Sequence, residues 1–252
     1  MSRRKLELVT AALPVTRPAE TGSPRGLFWL GAGVYVFSLL MIGGGILFAP
    51  PGQPTRWFDE KQTETSYSAA LLYTCVLVSA LNFLAARNFF YPRLTFRPLK
   101  TFWALGAVGF FVLMADEFFA MHEGIGGRIA YRILNLAHTS FHDRFDGFII
   151  LFYGVCGLVI LATYWRWLKL IPGFRPFLIA GGVFGALSVF MDLQPETIWG
   201  IYMEEGAKIM ANASFLLACS AAALKNYQEL LADMRASSAR ERDALAHRRR
   251  TS

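Results

Sequence analysis

The sequence predicts an all-α integral membrane protein, a polytopic bundle of about six transmembrane helices, and three observations carry that prediction. Hydrophobic residues make up 54% of the 252 and charged residues only 17%. The mean hydropathy of +0.38 lies above that of ordinary soluble domains. The apolar residues also form continuous runs, whereas an outer-membrane barrel would alternate in polarity over segments of about 10 residues.

A spanning helix needs about 20 largely apolar residues. The runs in chain order are Leu27 to Ala49, Tyr67 to Ala86, Thr101 to Met121, Phe148 to Trp165, Phe177 to Leu193 and Ile198 to Leu224. The fifth is the shortest that still qualifies. The chain accordingly divides into a disordered tail over 1–25, a transmembrane domain over 26–224 and a basic, helix-prone tail over 225–252. The first tail lacks the apolar core of a cleavable signal. The second is expected either to prolong the sixth span or to lie on an anionic leaflet.

Lys and Arg set the expected orientation, because cytoplasmic loops carry the excess. The two tails and the second and fourth loops hold 19 of the 25 basic residues, so both termini are predicted on the cytoplasmic side of a bacterial inner membrane, with the protein crossing it several times. The net charge of +7 then follows from topology, and nucleic acid is not an expected partner. Membrane lipids are, together with a second copy or another membrane protein. Gly43, Gly44, Gly45, Gly181 and Gly185 suit close helix contacts. Cys75, Cys156 and Cys219 all fall within spans without CxxC spacing and read as buried small hydrophobes. Trp57, Trp165, Trp167 and Trp199 sit near predicted boundaries, where Trp anchors the interface.

Acidic residues carry the functional signal. Of the 18 Asp and Glu, 12 fall in outer loops or outer halves of spans, Asp59, Glu60 and Glu64 in the first loop among them, and three of the four histidines accompany them. A charge at bilayer depth costs about 2.5 to 3.5 kcal/mol on insertion scales, so it persists where it is paired, hydrated or useful. The third span, ending MADEFFAMHEGIGG, is expected to continue as one helix that places Asp116 and Glu123 on one face with Glu117 and His122 flanking them, and to stop at Gly124 and Gly127. On the sixth span Glu204 and Lys208 are four residues apart, Glu205 and Lys208 three, and Asn212 extends the ridge. Asp146 and Asp192 are placed at the same membrane face. His138 and His142, four apart between spans three and four, suit Zn or Fe when His122 or Glu123 supplies a further ligand. Asp116, Glu117, Glu204 and Glu205 are the candidate catalytic acids or bases.

The D-E-x4-H-E at Asp116 to Glu123 and the E-E-x-x-K at Glu204 to Lys208, in a six-span frame, resemble a group of bacterial polytopic membrane proteins of unknown function over Leu27 to Leu224. A more distant chemical likeness is to the membrane hydrolases that include alkaline ceramidases and adiponectin-receptor-like proteins. That likeness implies a zinc held by His122, His138 and His142, with Asp116 as the acid and Ser140 or Ser68 as the hydroxyl. The chain departs from it in having six spans rather than seven and its histidine pair in a mid-chain loop.

Three functions of different class remain open at this stage. The first is a metal-dependent hydrolase acting on lipid, with Glu117 or Glu204 as general base on metal-bound water. The second is a proton- or cation-coupled transporter in which Asp116, Glu117, Glu204 and Glu205 bind the ion and Lys208 changes partner. The third is an accessory subunit whose polar network, with Lys208 paired to Glu204 or Glu205, only holds the bundle together. The apolar inner halves of the spans, with Trp103, Phe110, Phe111 and Leu217, argue against an open pore.

Overall fold

In a computed structural model of the chain, residues 24–50, 52–58, 63–88, 97–132, 145–194 and 197–251 are described; the side chains of Glu123 and Asp146 are among those within these ranges that are not. The described helices are α1 (Pro24–Leu47), a short 3-10 turn (Arg56–Phe58), α2 (Thr63–Asn88), α3 (Arg97–Phe119), α4 (Met121–Arg132), α5 (Phe145–Leu168), α6 (Phe174–Asp192) and α7 (Ile198–Thr251). Six of them, all but the 3-10 turn and α4, are long and apolar enough to cross a membrane, and no strand occurs among the described residues. The protein is therefore an all-α transmembrane bundle, as its apolar runs predict. The tail after Leu224 prolongs the last helix through Thr251. Arg25–Tyr227 forms one compact unit.

Burial is distributed unequally because lipid, unlike water, tolerates apolar surface. The spanning window of α5 is only 6% buried, while that of α7 is 61% buried. Phe152 and Leu158 on α5, like Phe37 and Leu40 on α1, are accordingly exposed. The inner core gathers Leu99, Phe102 and Trp103 of α3, Leu168 of α5, Phe174 of α6 and Ala218, Cys219 and Ala222 of α7. Trp103 meets Phe174 edge to face at a centroid distance of 6.1 Å, a favoured ring geometry. Gly173 enters α6 with φ of +77°, a left-handed conformation in which a side chain would be strained and would collide with Leu27. Gly181 lies against the Phe215 ring, the close contact expected of it, whereas Gly185 is in ordinary contact with Ala211 and Gly43 and Gly44, expected to pack closely, face open space.

A polar seam joins α2 to α7. Asn212 Nδ2 donates to Ser68 Oγ at 2.9 Å, the Cys75 thiol lies 4.0 Å from the Asn212 carbonyl, and Ser79 Oγ stands 3.7 Å from Cys219 Sγ. Asn82 Nδ2 donates to the Cys219 carbonyl at 3.1 Å and its Oδ1 accepts from Asn226 at 2.9 Å. The participants recur every seven residues on both helices, at 68, 75 and 82 and at 212, 219 and 226, the period that keeps two helices in register along a seam. Small and hydrogen-bonding residues are what membrane helices use there, since lipid offers no competing partners. Cys75 and Cys219 are buried as expected, but Cys156 is exposed, because α5 is peripheral.

Candidate functional site

At one end of this seam sits a lysine surrounded by carboxylates. Lys208 Nζ lies 2.7 Å from Glu205 Oε1, one turn earlier on α7, and 3.8 Å from Glu117 Oε1 on α3. Glu204 stands close enough to add to the negative field at the ammonium. The side chains are only 21%, 12% and 11% exposed for Lys208, Glu205 and Glu117. Glu117 and Glu204 thus converge on Lys208 from different spans. Of the partners open to Lys208 in the sequence, Glu205 is the one bonded, and Glu117, for which no cation was foreseen, is the second.

Glu64 joins them and was not foreseen. Its placement in the first loop is corrected: it occupies the first turn of α2 and is 2% exposed. It fits because Gly45 of α1 has no side chain; a Cβ there would run into the Glu64 carboxylate and the Phe58 ring. Glu64 lies within electrostatic reach of Glu205. Among the described residues, Oε2 of each of these two carboxylates is buried without a hydrogen-bond partner. Glu64 precedes Ser68 by four residues, so it extends the seam-facing ridge of α2 by one turn. That spacing was the available signal.

Asp116 points elsewhere. The expectation of one continuous third helix fails at Ala120, whose φ of +49° is left-handed and ends α3 at Phe119. A new helix, α4, then runs from Met121 to Arg132, with Gly124 and Gly127 inside it and not at its end. Asp116 ties the break together: Oδ1 accepts the His122 backbone N–H at 2.7 Å and Oδ2 lies 2.9 Å from His122 Nδ1. A carboxylate accepting an N–H in the first turn is the usual way to satisfy donors that a new helix leaves orphaned, and the helix dipole favours its charge. Because of the break, Asp116 and Glu123 do not share the face of a single helix. Tyr153 of α5 is the further neighbour in electrostatic reach of Asp116.

The remaining predicted residues separate. Asn212 belongs to the seam through Ser68. Asp192, at the end of α6, sets its carboxylate against Gly147 in the first turn of α5, again a favourable place for negative charge. His138, Ser140 and His142 lie outside the described residues, as do the side chains of Glu123 and Asp146. Among the described residues no group of three or more His, Cys, Asp and Glu is arranged to hold a metal ion. Chemically, the Lys208 centre can bind and exchange protons or small cations. The Asp116 and His122 pair orients an imidazole through Nδ1.

The model of a domain of unknown function, DUF8692, matches residues 28–223. No curated protein and no solved structure matches the chain.

Proposed function

The chain belongs to the DUF8692 family, and from that premise we propose that it is a proton- or cation-coupled membrane transporter whose working centre is Lys208 with Glu64, Glu117, Glu204 and Glu205. The observation that carries this reading is the charge count at a buried place: three carboxylates from α3 and α7 gather at one ammonium, and a fourth, Glu64 of α2, lies within electrostatic reach of Glu205. A brace needs only a balanced pair. Extra carboxylates in hydrocarbon are costly unless they take up a proton or a cation, and intramembrane acids of this kind mark ion pathways. Lys208, with Glu205 at 2.7 Å and Glu117 at 3.8 Å, has two acceptors between which it can redistribute when an ion binds. On the orientation set by the basic residues, the centre faces the non-cytoplasmic side of a bacterial inner membrane.

The test is flux in proteoliposomes carrying an internal pH dye, under imposed proton, sodium or potassium gradients. Protein-dependent flux that Glu117→Gln and Lys208→Met abolish supports the reading. Flux indistinguishable from empty vesicles for all three ions would overturn it.

A second reading, a metal-dependent hydrolase acting on lipid, is favoured by one observation. A histidine that binds a metal through one nitrogen commonly has the other held by a carboxylate, as Asp116 holds His122. Stoichiometric Zn or Fe in purified protein, lost in His122→Ala, would support it; metal-free folded protein would remove it.

A further inference from the structure

Three carboxylates of the Lys208 centre keep a buried oxygen without a hydrogen-bond partner among the described residues; that of Glu117, Oε1, faces Lys208 Nζ at 3.8 Å, and the other two oxygens have no such cation beside them. Glu64 and Glu205 come from α2 and α7, are 2% and 9% exposed, and each keeps a buried Oε2 without a hydrogen-bond partner among the described residues. Lys208 serves Glu205 through Oε1, on the other oxygen of that carboxylate. No bond from Lys208 to Glu64 accompanies it. The remaining surroundings are fixed: Gly45 of α1 and Phe58 of the 3-10 turn close over Glu64 and carry no titratable group, and the Tyr202 hydroxyl is committed to the Pro54 carbonyl at 2.7 Å. The charged group on Glu205 is Lys208, which Glu117 and Glu204 face in turn, and the charged neighbour of Glu64 is Glu205.

We propose that Glu64 and Glu205 are the ion-binding pair of this centre and that its occupant is one proton shared between their otherwise unpartnered oxygens. A hydronium ion gives up one proton, its O–H bond breaking to leave water, and the proton forms the O–H bond of a carboxylic acid that donates to the other carboxylate. This satisfies both buried acceptors at once and lowers the charge of the pair from two to one beside Lys208, which Glu117 and Glu204 also face. A hard metal cation suits the pair less well, because such ions take about six oxygen ligands. The pair offers two unengaged oxygens, and the Glu64 carboxylate packs against Gly45. Gly45 thereby sets specificity, by fixing how close the Glu64 carboxylate stands to α1.

This inference takes its purpose from the transport reading, but its chemistry is measurable without transport. Infrared spectra of the full chain in detergent at neutral pH, in H2O and in D2O, report carboxylic acids directly. The wild type is expected to show a carboxylic-acid C=O band that shifts in D2O and is lost in Glu64→Gln. Gln is the closest neutral mimic of the protonated acid and its NH2 can donate to Glu205, so this variant should fold; Glu205→Gln, which should also lose the band, is the second variant. Absence of the band in folded wild type, or its survival in both variants, overturns the proposal. A band that appears only when sodium and potassium are removed also overturns it, making the occupant a cation. A band without flux in proteoliposomes leaves this proposal standing and refutes the transport reading; flux without a band does the reverse.

Discussion

Replacing Lys208 by Met removes the one ammonium that the described centre contains while keeping the length and apolar stem of the side chain. Glu205 then loses its 2.7 Å charged partner and Glu117 its 3.8 Å one. With both acids little exposed, the loss resembles breaking a buried ion pair from one side, which costs about 3 to 5 kcal/mol because the remaining charge stays behind uncompensated. Glu205→Gln removes one of those charges and keeps the shape. Lys208→Met combined with Glu205→Gln should therefore be more stable than the sum of the single losses predicts, with a coupling of about 1 to 3 kcal/mol, the range for residues in direct contact. Unfolding in mixed micelles with increasing SDS, followed by tryptophan fluorescence, gives all four corners of the cycle. Additivity within about 0.5 kcal/mol would refute the claim that this ion pair is formed and buried.

Gly45→Ala should destabilise by about 1 to 3 kcal/mol through collision with Glu64 and Phe58, whereas Gly44→Ala, with nothing within 4 Å, should gain up to about 1 kcal/mol of helix propensity; thermal unfolding in detergent compares them, and equal shifts would contradict the packing. Asp116→Ala should cost about 1 kcal/mol as a lost helix cap, and Asp116→Asn clearly less, since the amide oxygen still accepts the His122 N–H; identical losses in the same melts would remove the capping role. Asn82→Ala breaks bonds to Cys219 and Asn226, and at about 0.6 kcal/mol per interhelical bond in a membrane it should cost about 1 kcal/mol in SDS titrations; no change would mean those bonds contribute nothing.

The six spans were readable because hydrocarbon imposes one constraint on all of them, a continuous apolar stretch, and length alone reports it. The same criterion misplaced Glu64: a hydropathy boundary drawn at Tyr67 leaves the residue in a loop, although the helix starts at Thr63 and Gly45 on another helix makes the room for it. Such space is a tertiary property. The Glu205 and Lys208 spacing was legible because both lie on one helix, while the 3.8 Å approach of Glu117 required two spans to be placed. Helical phase also failed after Asp116, because Ala120 adopts a left-handed backbone that its residue type does not announce. The seven-residue recurrence of Ser68, Cys75 and Asn82 against Asn212, Cys219 and Asn226 was present in the letters but masked by the apolar residues around it.

That recurrence bears on how the protein is made. The seam pairs the second spanning helix with the last, so Ser68, Ser79 and Asn82 find their partners 137 to 144 residues later in the chain. At about 5 to 20 residues per second of synthesis, those polar groups wait roughly 7 to 30 s in a nascent chain that lacks α7. During that interval α2 carries a buried-to-be carboxylate, two hydroxyls and an amide that lipid cannot satisfy. A newly inserted chain must therefore keep this helix near water or against the insertion machinery until its final segment arrives, and a ribosome that stops short of Asn212 releases a product that the cell's membrane proteases can tell from the finished one.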